Sequence, residues 1–126
     1  MSTHVFKELN ILGTQLQVCS LFPSTGYKRT GTCTIRSLEI SDFSASVCCV
    51  TTPEFLQWGM RNNFDLLTRK PGQWGLNPEG GERWCISVDV WLRSYKSNCA
   101  PYIVPEATNI RLLNYLSLDE LKPYII

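Results

Sequence analysis

Residues 44–50 read Ser-Ala-Ser-Val-Cys-Cys-Val, an uncharged run of strand length that predicts a buried central strand. The pattern then changes to a helical one. Thr51 and Thr52 are N-cap residues, Pro53 suits the first helical position, and Glu54 stands where it can complete a capping box. Phe55, Leu56 and Trp58 give this helix a broad apolar face, and Asn62-Asn63 ends it. Residues 83–87 predict a second strand. Residues 89–96 predict a helix with Trp91 and Tyr95 one turn apart on one face. Pro101 and Pro105 bracket an extended piece, and residues 109–116 are expected to form a strand. Ser117 and Glu120 form a capping box for a short helix that Pro123 stops.

The first third of the chain carries weaker signals. Residues 1–8 read as a short leader. Residues 10–19 predict a strand, with Leu16 and Val18 on one face. Pro23 to Gly26 is a turn, and Gly26 and Gly31 punctuate a polar loop. The longest irregular stretch is 64–82, rich in Gly and Pro, and such loops are often functional. Short strands interleaved with a few short helices predict an α+β fold: one two-layer sandwich over residues 9–126, with a small mixed or antiparallel sheet.

Composition narrows the function. A chain of 126 residues with 44% apolar content builds its own core. A net charge of +1, with basic residues scattered, gives no electrostatic case for nucleic acid or an anionic membrane. No run of about 18 apolar residues is present to span a bilayer. Without an export signal the expected compartment is the cytoplasm, where the six cysteines are expected to be thiols.

Several ordered motifs carry a resemblance. They include Asn10-Ile-Leu-Gly-Thr14, Pro23-x-Thr-Gly-Tyr-x-Arg29, Val47-Cys48, Thr52-x-Glu-Phe-Leu56, Asp65-Leu-x-Thr68, Arg83-Trp-Cys85 and Glu106-Ala-Thr108. Together the chain from about residue 9 to 123 resembles the bacterial family of domains of unknown function numbered 2237. The resemblance implies an α+β two-layer fold and no activity. The chain departs from the family pattern at Thr30, at Thr32-Cys33, and at Ala45 and Asn109, where histidines are usual.

The only histidine is His4, in the leader, so a Ser-His-Asp triad or Cys-His dyad requires that segment to dock back onto the core. No Cys-x-x-Cys occurs, and no nucleotide-binding glycine motif. No cofactor is implied. Cys48 and Cys49 point to opposite faces of a strand. Cys19, Cys33, Cys48 and Cys85 match family positions and are weak candidates for a zinc site, with packing as small buried hydrophobes favoured over it. The candidate ligand-binding residues are Thr25, Arg29, Asp65, Thr68, Arg83 and Trp74. Arg29 or Arg83 suits an anion, or an ion pair with Asp65 or Glu106 that pins the long loop. Trp74 suits a pocket wall, a partner contact or a plug onto the core.

Three functions remain open. A non-catalytic module binding a small anion or a protein partner is favoured. The alternatives are a histidine-independent enzyme, with Asp65 or Glu106 as acid/base and Arg29 or Arg83 as stabiliser, and a cysteine-based zinc or redox site.

Overall fold

A computed structural model describes residues 8–20, 31–33, 45–68 and 75–126. Three strands form an antiparallel sheet: β1 (Val47–Val50), β2 (Arg83–Ile86) and β3 (Tyr102–Ile103), in the order β2-β1-β3. The apolar run expected to be central is therefore the middle strand. Val47 pairs with Ile86, Cys48 with Cys85, Cys49 with Trp84 and Val50 with Arg83. On the other side Cys49 pairs with Ile103 and Val50 with Tyr102.

Alternation along β1 sends side chains to two different cores. Val47 and Cys49 join the main core with Phe55, Leu56, Trp91 and Ile103. Cys48 faces the opposite way, into a smaller cluster with Cys85, Val104 and Ala107.

The main core is supplied by helices α1 (Pro53–Arg61) and α2 (Val88–Lys96). Thr52 caps α1 by accepting the Phe55 N–H, and Pro53 begins it. Ser87 caps α2 by accepting the Val90 N–H at 3.1 Å. Trp91 is fully buried, stacks on Tyr95 at 5.2 Å and meets Tyr124 edge-on at 5.3 Å. Its indole N–H donates to the Pro101 carbonyl at 3.2 Å, so one side chain ties α2 to both the β3 approach and the C-terminal tail. Removing a side chain like Trp91 or Phe55 from water contributes roughly 1.5–3 kcal/mol. Helix α3 (Leu118–Leu121) carries the expected Ser117/Glu120 capping box, and a short 3-10 turn containing Pro123 follows it. The result is a small α+β domain.

Three local expectations are corrected. Residues 10–19 form no strand. The Asn10 side chain accepts the N–H groups of Leu12 and Thr14 at 2.9 and 3.1 Å and folds the chain into a turn through Gly13, whose φ is +82°. Leu16 and Val18 then diverge, at 9% and 47% exposure, and do not share a face. Residues 109–116 are not a strand either. Asn109 caps a 3-10 helix (Ile110–Asn114), and Leu112 and Leu116 reach the core at helical spacing. Glu54 completes no capping box, because the cap is Thr52 and Phe55 occupies the third position. The Thr51 hydroxyl instead donates to the Glu82 carbonyl at 3.1 Å.

Candidate functional site

The small cluster behind the sheet is where the chemistry of this chain concentrates. Cys48 and Cys85 stand opposite each other on β1 and β2. The Cys48 N–H donates to the Thr108 hydroxyl at 3.1 Å, and its carbonyl accepts from the Val104 N–H at 2.9 Å. Both bonds point away from β2, which makes Cys48 and Cys85 a non-hydrogen-bonded pair, the position where facing side chains come closest.

Each sheet cysteine is joined to one outside the sheet. Cys19 bonds Cys48, with Cα atoms 5.6 Å apart, and Cys33 bonds Cys85, with Cα atoms 5.4 Å apart. The Sγ atoms of Cys19, Cys33 and Cys85 lie within 4.8 Å of one another. Cys48 is bonded to Cys19, so all four sulfurs belong to one group. All four residues are buried, at 0–4% exposure.

The loop ends are held by backbone and amide contacts. The N–H groups of Cys19 and Ser20 both donate to the Gly31 carbonyl, at 2.6 and 3.0 Å. Gly31 has φ +88°, a conformation open to glycine at little cost. Asn109 connects the parts. Its side-chain amide donates to the Glu8 carboxylate at 2.6 Å and to the Cys33 carbonyl at 3.4 Å. Its backbone N–H donates to the Ser46 carbonyl at 2.8 Å. The Thr108 hydroxyl donates to the Val104 carbonyl at 2.8 Å. Ala45 packs against the cysteine cluster. Ala45 and Asn109, the two positions where the resemblance implies histidine, therefore adjoin this site.

Four of the six cysteines are thus disulfides, which corrects the expectation of six thiols. That expectation followed from a compartment argument. The pairing follows from geometry, because both Cα separations fall inside the span a disulfide bridges. Cys49 and Cys99 are free. Cys49 points into the main core as the strand alternation predicts, and burial pushes its thiol pKa up to about 12. A thiol held in that state is inert at neutral pH. Cys99 is half-buried and its thiol meets the Ser97 carbonyl at 3.4 Å.

Of the polar candidates, Asp65, Thr68 and Arg83 lie among the described residues. Asp65 turns the chain after α1: its carboxylate accepts the N–H groups of Leu67 and Thr68, each at 2.9 Å. Thr68 is exposed, as is Arg83 at the start of β2. Among the described residues no ion pair joins Arg83 to Asp65 or Glu106. The Glu106 carbonyl accepts from the Asn10 amide at 3.0 Å and from the Gln17 N–H at 2.9 Å. Thr25, Arg29, Trp74 and His4 lie outside the described residues. No described helix is long and apolar enough to cross a membrane.

Sequence reasoning missed Thr108, Asn109 and Asn10, the buried polar residues that position the cysteine segments. The available signal for Asn10 was its place three residues before Gly13, the pattern of a side-chain-closed turn.

A search of curated proteins finds no match to this chain. The chain belongs to the family described as "Uncharacterized protein conserved in bacteria (DUF2237)", whose profile matches residues 9–125.

Proposed function

We propose that this family member is a non-catalytic binding module whose surface is set by thiol–disulfide exchange at the four-cysteine cluster. The observation that carries the reading is the asymmetry of the two bridges. Cys48 and Cys85 belong to a sheet held by its own hydrogen bonds, whereas Cys19 and Cys33 stand outside any strand or helix among the described residues. Oxidised, the cluster fastens those segments to the back of β1 and β2. Reduced, it releases two tethers, while the main core on the opposite face keeps its packing.

The exchange is balanced by an external thiol such as glutathione. Each disulfide takes two electrons and two protons from two glutathione molecules, which leave as one glutathione disulfide. In a cytoplasmic setting the reduced state is then the resting one, and the disulfides form under oxidation.

The test is equilibration of the full chain in glutathione buffers, with the redox state read by alkylation and mass spectrometry. The expected midpoint lies between about −200 and −300 mV, within reach of a cellular glutathione pool. Reduction is expected to speed proteolytic cleavage within residues 8–20 while helix content by circular dichroism stays. Bridges that persist at poises below about −300 mV would make the cluster a permanent staple and end this reading.

A further inference from the structure

The same four sulfurs are arranged as a ligand set. We infer that, once reduced, Cys19, Cys33, Cys48 and Cys85 bind one zinc ion as a closed tetrathiolate site. The inference deepens the redox reading and rests on it for the reduced state being reached in the cell.

The geometry of three of the four sulfurs is close to what the metal demands, and Cys48 has to move toward them. Tetrahedral zinc with sulfur bonds of about 2.3 Å separates its sulfurs by about 3.8 Å. Three of the sulfurs already lie within 4.8 Å of one another, and the fourth is bonded to one of these three. Breaking the two sulfur–sulfur bonds lets the bonded pairs open while the longer separations close. Cys48 and Cys85 are fixed opposite each other in the sheet, so they form a rigid half of the site. Cys19 and Cys33 lie outside the sheet among the described residues and supply the other half.

The surroundings suit a structural site. The cluster is buried, and Val104, Ala107, Ala45 and Val50 pack against it. Thiolate ligands select zinc over hard cations such as magnesium and calcium. Four protein ligands complete the tetrahedron and leave no open position for substrate. On binding, four thiols lose four protons to solvent and the zinc ion gains four sulfur bonds. On oxidation by a peroxide, the four thiolates give two disulfides and four electrons. Two hydrogen peroxide molecules with four protons take up those electrons and leave as four waters, and the zinc ion is released.

This assignment adds a third state to the redox reading: the metal-free reduced chain is untied, whereas the disulfide and zinc-bound forms are both cross-linked. Zinc replaces both bridges with a single centre, and the segments at Cys19 and Cys33 stay attached in the metal-bound form.

The experiment uses the full chain. It is reduced with dithiothreitol under nitrogen, desalted, exposed to zinc chloride, desalted again and assayed for metal by mass spectrometry. The expected result is one zinc per reduced chain and none on the oxidised chain. Cobalt substituted for zinc is expected to give the absorption of a tetrahedral tetrathiolate site. C33S should lose that spectrum and C99S should keep it. Hydrogen peroxide should release the zinc from the wild-type chain as the disulfides return.

A reduced wild-type chain that retains no zinc overturns the inference, whether the chain is folded or not, and this readout needs no variant. The two readings separate cleanly. If glutathione reduces the cluster and zinc fails to bind, the zinc site falls and the redox module stands. If only dithiothreitol reduces the cluster and zinc then binds, the site stands and the glutathione-driven module falls.

Discussion

Replacing Cys33 and Cys85 together by alanine should cost more stability than replacing Cys19 and Cys48. The reason lies in the unfolded chain. The first bridge closes a separation of 52 residues and the second one of 29. Loop-closure entropy assigns about 4.1 kcal/mol to the longer loop and about 3.6 kcal/mol to the shorter at 25 °C. The main core lies on the other face of the sheet, so both variants are expected to fold. Urea unfolding without reductant is the assay. With a slope of about 2 kcal/mol/M, a loss of about 4 kcal/mol moves the midpoint by about 2 M. The slope itself should rise, because an unbridged chain exposes more surface when it unfolds. A loss below about 1 kcal/mol with an unchanged slope would refute the reasoning, since a real cross-link must restrict the denatured ensemble. A larger loss for the 29-residue bridge would show that native-state packing, not loop closure, dominates.

Two further outcomes follow from named contacts. Asn10→Ala strips the amide bonds to the Gln15 and Glu106 carbonyls and the carboxamide oxygen from the Leu12 and Thr14 N–H groups. Its expected cost is about 2–3 kcal/mol by denaturant unfolding, because buried partners are left unpaired. Cys49 makes stability pH-dependent. Its thiol pKa rises from 9.0 to about 12 on folding, so above pH 9 the unfolded chain loses a proton that the folded chain keeps. The contribution is full below pH 9 and is lost as pH rises toward 12. Stability measured from pH 8 to 10.5 should therefore fall less steeply in Cys49→Ala than in the wild type.

The elements legible in the sequence are those where a cap and a periodicity agree. Thr52 and Pro53 announce α1, the Trp91–Tyr95 spacing announces α2, and Ser117 with Glu120 announces α3. The strand expected over residues 44–50, observed as Val47–Val50, was legible because an uncharged run of strand length has few alternatives in a small domain. Segments governed by one side chain's long-range bonds were not. Asn10 reaches Glu106, 96 positions away, and no local pattern encodes that partner. Asn109 likewise looks like strand sequence until its cap and the Leu112–Leu116 spacing are weighed together.

The site was half legible. The four cysteines stand out because the resemblance places them at family positions, and alternation correctly sets Cys49 apart from Cys48. Their pairing depends on Cys48 lying opposite Cys85, and register is fixed by the whole sheet rather than by spacing along the chain. The compartment argument pointed to thiols because it uses only the surroundings of a protein and not the distance between its own cysteines.

The most direct measurement is the state of the cysteines in living cells that make this chain. Rapid acid quenching, differential alkylation and mass spectrometry report each thiol separately. The account predicts that Cys19, Cys33, Cys48 and Cys85 are reduced during unstressed growth and become protected together, as the pairs Cys19–Cys48 and Cys33–Cys85, after an oxidant pulse. Cysteines that stay paired in both conditions, or that oxidise one at a time into other pairs, would contradict it.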